Sequence, residues 1–259
     1  MLQQPRFRPH LHVETVPGEG IFVLSDSYHT VLHGRLYELV APQLDGSPVE
    51  ELYRRLQGQA SVAQIHYTLN RLEQQGLLCE ARGCDREEEA ALWTVQGLDP
   101  GTAARRLAET TVSIQAFGVD AEPLRALLQA LNVRIATQGD LCLVVTDHYL
   151  RPELQACNKE ALASGQPWFL IKPVGCEVWV GPLLLPGKTA CWECLAQRIR
   201  ANRPVLDYLG RVRGDRGAPA LDVCRTPATL AVGWGLAANA VASFLAQGRE
   251  QPLFEGKIQ

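Results

Sequence analysis

The second half of the chain alternates strand-like and helix-like segments, and this alternation constrains the fold more than any other feature. The segment Leu141–Thr146 is apolar at nearly every position, as is typical of a strand buried on both faces. Regular β–α alternation predicts a mostly parallel, doubly wound sheet. The predicted strands are residues 112–117, 133–137, 141–146, 168–172 and 178–185, and the predicted helices are 122–131, 152–164, 191–200 and 226–247.

The first part of the chain has a different pattern. Its predicted elements are strands 10–16, 21–25 and 28–33, helices 35–44, 49–57 and 62–75, and a returning strand 77–80. Ser47 and Ser61 are predicted helix caps, with Pro48 at the first helical position and Gly76 as a stop. Three strands followed by three helices and the returning strand predict a winged helix-turn-helix. The predicted domains are therefore 1–82, a charged helical connector 83–109, and the α/β domain 110–259.

Composition excludes several classes of protein. The formal net charge of −3 argues against a surface that attracts nucleic acid or anionic lipid. The N-terminus is polar and lacks the apolar core of a signal peptide, and no apolar run reaches the length of a membrane span. Eight cysteines without a secretion signal indicate reduced thiols. We therefore expect a cytoplasmic protein that binds neither nucleic acid nor membrane.

Signals for catalysis are weak. The turn after the first strand of the predicted sheet, residues 116–120, has one glycine where a dinucleotide-binding loop needs three. Phe117 and Val119 would crowd a pyrophosphate there. No Ser/His/Asp or Cys/His set is visible, so no catalytic residue is predicted. Asp147 ends a strand at the edge where such sheets bind ligands, but a role in capping the next helix explains it equally well.

Cys191 and Cys194 form the sequence's one CxxC motif. A structural zinc ion usually takes two such pairs, so this is half of a zinc site. Cys176 and Cys224 are candidate replacement ligands that no spacing rule supports, and a reactive thiol at Cys191 is the alternative. We predict that zinc at this half site is not tightly bound by this chain alone.

Several further motifs are distinctive: Thr146-Asp147, Pro167-Trp168, Ile171-Lys172-Pro173-Val174-Gly175, Gly181-Pro182, Cys191-Trp192-x-Cys194-Leu195-Ala196-Gln197-Arg198, Pro9-His10-x-His12-Val13-Glu14, Leu36-Tyr37 and Leu44-Asp45-Gly46. Together these motifs resemble the cyanobactin heterocyclases, which are YcaO-type cyclodehydratases. The resemblance covers essentially the whole chain and is most specific from Asp147 to Arg198.

The resemblance implies a winged-helix, PqqD-like recognition element for the leader of a ribosomal peptide. It implies next a domain like ThiF and the ubiquitin-activating enzymes that has lost ATP binding. In the family, a YcaO domain follows that uses ATP and Mg²⁺ to form azolines from Cys, Ser or Thr. This chain ends before the family's second CxxC and YcaO domain, so we expect a truncated relative that needs a YcaO partner. The family also implies a homodimer.

A leader peptide is expected to add a strand to the edge of the small sheet, beside the third helix. The expected edge residues are Tyr28, His29, Thr30, Val31, Leu32 and His33. The inward stripe of the third helix is predicted to be Val62, Ile65, Leu69 and Leu72. The residues off that stripe, expected to line the groove, are Gln64, Tyr67, Thr68 and Arg71, and Arg71 would suit an acidic leader.

Two alternative functions remain open at this point. A winged-helix transcription regulator needs a basic recognition helix, yet residues 61–75 contain one arginine, one glutamate and no lysine. A ThiF-like adenylating enzyme needs a phosphate-binding loop, which the segment around Gly118 does not provide. The peptide-binding interpretation agrees better with both observations.

Overall fold

The computed structural model describes residues 2–81, 86–214 and 224–248, which form two units, residues 1–104 and 105–259. The boundary lies inside a helix of the expected connector. Cys84 and the C-terminal segment 249–259 lie outside the described residues, and so does the expectation about the end of the chain.

The first unit is a winged helix-turn-helix, as predicted. Its strands are β1 (Pro5–Phe7), β2 (His12–Val16), β3 (Gly20–Leu24), β4 (His29–Leu32) and β5 (Leu78–Glu80), and its helices are α1 (Arg35–Val40), α2 (Val49–Arg55), α3 (Val62–Gln74) and α4 (Glu87–Val95). Strands β2, β3 and β4 form one antiparallel sheet, and β1 pairs with β5. Sequence patterns missed β1 because three residues carry too little periodicity.

One core holds this unit together. Ile21 and Val23 of β3 are fully buried, as are Ile65 and Leu72 of α3. Ser61 caps α3 with a complete capping box. The Ser61 hydroxyl accepts a hydrogen bond from the backbone amide of Gln64, and the side-chain oxygen of Gln64 accepts one from the backbone amide of Ser61. The predicted cap at Ser47 is wrong: Pro48 precedes α2, and no side chain caps that helix.

The second unit contains a doubly wound sheet. Helix α5 (Pro100–Glu109) precedes it and spans the boundary between the units. The strands that follow are β6 (Thr111–Phe117), β7 (Arg134–Ile135), β8 (Leu141–Thr146), β9 (Trp168–Lys172) and β10 (Trp179–Leu184), and the helices are α6 (Glu122–Ala130), α7 (Glu153–Ser164), α8 (Trp192–Asn202), α9 (Pro204–Arg213) and α10 (Pro227–Gln247). The strand order is β10-β9-β8-β6-β7, and only β10 is antiparallel.

Helices cover both faces of this sheet. Cys142 and Val144 of β8 pack in one core with α7 and α8, whereas Phe169 of β9 stacks on Phe244 of α10. The sequence did not predict α9. Gly233 lets α10 approach the loop after β9 closely, because a Cβ atom there would lie 2.3 Å from the Pro173 carbonyl oxygen.

Helix α10 bears on the expectation that no apolar run could span a membrane. Its 21 residues are long and apolar enough to do so by length and composition, although half of the most apolar window is buried. A buried core helix meets the same criterion, and residues 241–246 are indeed buried in the second unit.

Candidate functional site

Strand β4 lies at an edge of the three-stranded sheet, because it pairs with β3 on one side and with no other described strand. The Ser25 amide donates to the Tyr28 carbonyl at 2.9 Å, which makes residues 25 and 28 a hydrogen-bonded pair. Antiparallel pairs alternate between bonded and non-bonded. The pairs His29↔Leu24 and Val31↔Phe22 are therefore the non-hydrogen-bonded ones, so the backbone amides and carbonyls of His29 and Val31 point towards the open edge.

The exposed face of α3 carries three of the four side chains predicted to lie off its inward stripe. Gln64 and Arg71 are exposed, and Tyr67 is 62% exposed. The fourth, Thr68, is buried and its hydroxyl donates to the Gln64 carbonyl at 2.9 Å, so the expectation that it lies off the inward stripe is wrong. Val62 was predicted inward but is 56% exposed, because it occupies the first helical turn, outside the core.

Strand β4 and helix α3 border the same core but are not in extensive direct contact. Leu32 of β4 shares that core with Ile65 and Leu69 of α3. Helix α3 packs mainly against α1 and β5. The predicted residues thus divide into two neighbouring groups, one on the strand edge and one on the helix surface. Tyr28 and His29 are exposed on the strand side, and the His33 imidazole contacts the Glu19 carbonyl at 2.8 Å.

In the second unit, an ion pair fills the position where a doubly wound sheet usually binds a ligand. Arg151 Nε and Nη2 donate to the two carboxylate oxygens of Asp147 at 2.5 and 2.8 Å. Both groups lie against Gly118, whose φ is +72°. A Cβ atom on Gly118 would be 2.2 Å from an atom of each partner, so the turn after β6 has no room for even a methyl group.

The ion pair decides the role of Asp147. Hydrogen bonds from Arg151 hold the pKa of the Asp147 carboxyl below its ordinary value, although partial burial opposes this. No side chain caps α7, so the capping interpretation of Asp147 is wrong. Arg151 was not among the residues predicted from the sequence, although its spacing of four residues from the acidic Asp147 is a signal that the sequence contains. In the structure, Arg151 also pairs with the Glu153 carboxylate at 2.9 Å.

Tyr149 and Trp192 fasten the neighbouring part of this edge. The Tyr149 hydroxyl donates to the Leu170 carbonyl at 2.9 Å and also contacts the Gly181 carbonyl, and burial raises the pKa of the Tyr149 phenol well above its ordinary value. Trp192 is 2% exposed, and its indole nitrogen donates to the Tyr149 carbonyl at 2.9 Å. The residue between the two cysteines therefore anchors the CxxC segment in the core.

The thiols of Cys191 and Cys194 are close enough to bind one metal ion. Their sulfur atoms are 3.9 Å apart, near the edge of about 3.8 Å expected for a tetrahedron with zinc–sulfur bonds of about 2.3 Å. Burial raises the pKa of Cys191, but hydrogen bonds from the amides of Cys194 and Glu193 outweigh burial and lower it. Such a thiol suits metal binding.

These two sulfur atoms supply only half of a structural zinc shell. No group of three or more His, Cys, Asp or Glu side chains with metal-binding geometry occurs among the described residues. Cys176 and Cys224, the candidate replacement ligands, are both exposed and do not complete such a group. The donor set fits zinc only if further ligands come from elsewhere.

Comparisons with known proteins agree with this architecture. A family model described as a winged helix-turn-helix domain matches residues 6–80. Among curated proteins, no significant match is found. A solved heterocyclase in complex with substrate and cofactor is 33% identical over 99% of this chain, with a TM-score of 0.87. The heterocyclase TruD is also 33% identical over 99% of this chain, with a TM-score of 0.88.

The chain spans 36% and 39% of the length of these two heterocyclases. Escherichia coli MccB with ATP is 15% identical over 98% of this chain and 92% of its own, with a TM-score of 0.60, which shows a shared fold only. The chain thus combines an N-terminal winged helix with a ThiF-like α/β domain. Its similarity to the heterocyclases supports a relationship to peptide-modifying enzymes.

Proposed function

We propose that this chain binds the leader of a ribosomally made precursor peptide and acts as the scaffold of a cyclodehydratase. The cyclodehydratase would form thiazoline or oxazoline rings from Cys, Ser or Thr. The chain would present the peptide to a YcaO domain or subunit, which would supply ATP and Mg²⁺ chemistry. The similarity to heterocyclases over 99% of the chain supports this proposal, and the open edge of β4 is the observation that carries it.

The mechanism is strand addition. An incoming leader would pair with the outward amides and carbonyls of His29 and Val31, and its side chains would reach the exposed surface of α3. Main-chain hydrogen bonds would supply affinity, and contacts with Tyr67 and Arg71 would supply selectivity. Arg71 would favour an acidic residue in the leader through a charge-assisted hydrogen bond.

The second unit would serve as a rigid scaffold without nucleotide chemistry of its own. The Asp147–Arg151 ion pair fills the space beside Gly118 that a nucleotide phosphate would need, and this arrangement disfavours a ThiF-like adenylating activity. A transcription regulator is disfavoured because the exposed face of α3 carries little positive charge. Cytoplasmic location and a homodimer remain parts of the same proposal.

Cys191 and Cys194 would contribute two zinc ligands, and the ion would supply structural cross-linking if other donors complete its shell. We propose that this chain alone holds no zinc tightly, because a two-thiolate site releases the metal readily. Metal content after dialysis against a chelator tests this. One retained equivalent of zinc would contradict the proposal.

Calorimetric titration with the leader of the precursor encoded beside this gene tests the edge. Val31→Pro should remove an outward amide without breaking a bond to β3, and we expect at least about a tenfold loss of affinity from the removed donor and distorted edge. Thr15→Pro is the matched control, because the same alternation directs the Thr15 amide to the opposite edge, that of β2.

Equal losses in Val31→Pro and Thr15→Pro would indicate general damage to the sheet and contradict binding at β4. Absence of binding by the folded parent chain would contradict the leader-binding role altogether. Circular dichroism of both variants establishes that each is folded before titration.

A further inference from the structure

The two thiols of the CxxC motif lie at the beginning of helix α8, where they can react with each other. Cys191 is the N-cap residue and has extended backbone angles, and Cys194 is the third residue of the helix. Their sulfur atoms are already 3.9 Å apart. A disulfide bond is about 2.05 Å long, and rotation of the two side chains about their Cα–Cβ bonds can supply the remaining approach.

Buried groups hold the backbone between the two thiols. The Trp192 backbone amide donates to the side-chain oxygen of Asn158 at 3.1 Å, and the Trp192 indole donates to the Tyr149 carbonyl at 2.9 Å. Asn158 and Trp192 are both buried. The thiols are therefore kept side by side, which favours a reaction between them over a reaction with a second thiol from solution.

The two thiols differ in their access to solvent. Cys194 is exposed, whereas Cys191 is partly buried. A small disulfide molecule from solution can therefore reach the Cys194 sulfur more easily. Cys191 is then in position to react with the mixed disulfide that forms on Cys194, because its sulfur atom is the neighbouring one.

We infer that Cys191 and Cys194 form a reversible dithiol–disulfide site for a low-molecular-weight disulfide such as oxidised glutathione. The Cys194 thiolate attacks one glutathione sulfur, the bond between the two glutathione sulfurs breaks, and one glutathione thiolate leaves. The Cys191 thiolate then attacks the Cys194 sulfur and releases the second glutathione thiolate. Two protein thiols are thus oxidised to one disulfide, while one glutathione disulfide is reduced to two glutathione molecules that take up the two protons.

This chemistry is separate from leader binding, because it uses only residues of the second unit. It competes with zinc for the same two sulfur atoms, since a disulfide leaves no thiolate to bind a metal. A chain that fails to bind a leader can still oxidise at this site, and a chain that fails to oxidise can still bind a leader. The two tests therefore fail independently.

Peptide mapping after oxidation tests the site. The full chain, freed of metal by dialysis against a chelator, is incubated with oxidised glutathione, and the remaining free thiols are alkylated before digestion. Trypsin cleaves after Lys188 and Arg198, and the peptide 189–198 contains Cys191 and Cys194 and no other cysteine. We expect this peptide to lose two hydrogen atoms and to carry no glutathione.

Removal of one thiol should trap the intermediate. Cys191→Ser should retain glutathione on Cys194 at a level at least about tenfold above that on the parent peptide, because the neighbouring thiol that releases it is missing. Cys194→Ser should take up glutathione more slowly than Cys191→Ser, because its remaining thiol is partly buried. Cys224→Ser is the matched control, since it removes another exposed thiol and should leave oxidation of the peptide 189–198 unchanged.

Circular dichroism establishes that each variant is folded. Equal amounts of glutathione on the parent and Cys191→Ser peptides would overturn the inference, because Cys191 would then not react with the mixed disulfide. A parent peptide that stays reduced while Cys224 reacts would overturn it as well. Dithiothreitol should return the oxidised peptide to its starting mass, and failure to do so would exclude a reversible disulfide.

Discussion

The edges of the two sheets in this protein are built in opposite ways. The small sheet leaves the backbone groups of His29 and Val31 directed outwards at β4. At the carboxyl edge of the large sheet, by contrast, Asp147 and Arg151 occupy the space beside Gly118. The α/β fold would lead one to look for ligands at the second edge, yet the first offers more open hydrogen-bonding groups. Whether an edge stays open thus depends on the local side chains more than on the fold class.

The largest effect is expected when the buried Trp192 side chain, which packs next to the carboxyl edge of the large sheet, is removed. Trp192→Ala should destabilise the second unit by about 3–5 kcal/mol, because it empties a buried aromatic site and removes the hydrogen bond to the Tyr149 carbonyl. Denaturant unfolding measures the loss. Trp192→Phe should cost less, and an equal effect of both variants would show that the hydrogen bond rather than volume dominates.

A second test concerns the crowding at Gly118. Gly118→Ala should destabilise by about 2–3 kcal/mol, since the backbone has positive φ and the new methyl would displace the ion pair. Adding Arg151→Ala should recover part of the loss by making room. Strict additivity in the double-mutant cycle would contradict the steric coupling.

The ion pair itself predicts a dependence on pH. The folded-state pKa of Asp147 lies below its unfolded value, so the stabilisation is present above the unfolded value near 3.8 and is lost as the pH falls through the folded pKa. Asp147→Asn should cost about 1 kcal/mol at pH 7 and flatten the decline in stability below pH 4. Urea unfolding across pH 3–7 measures both effects. An unchanged slope of unfolding free energy against pH in the variant would show that Asp147 does not cause the decline in stability.

The smallest effect is expected in the open unit. Ser61→Ala should cost about 1 kcal/mol by removing one half of the capping box on α3. Ser61→Gly should lower the free energy of unfolding by only about a few tenths of a kcal/mol. If leader affinity is unchanged in both variants while stability falls, the cap serves the fold alone; a parallel loss of affinity would link the helix end to recognition.

Sequence patterns predicted the architecture well where periodicity was long. The buried strands Leu141–Thr146 and Trp168–Lys172 were predicted with the bounds that they have in the structure, because continuous apolar runs of that length leave few alternatives. Patterns failed where tertiary context decides. Thr68 is buried although it is polar, since the Gln64 carbonyl satisfies its hydroxyl, and Arg151 matters because of where Asp147 lies. The peptide-binding role of the strand and helix residues remains a prediction.

The close approach at Gly233 has a mechanical consequence. The α10 backbone rests directly on the Pro173 carbonyl, with no side chain between them to absorb a shift. The next residue, Val174, accepts the hydrogen bond from the Lys172 ammonium group. A displacement of α10 would therefore be transmitted through two adjoining peptide groups to Lys172, so that the helix and the lysine side chain would move together.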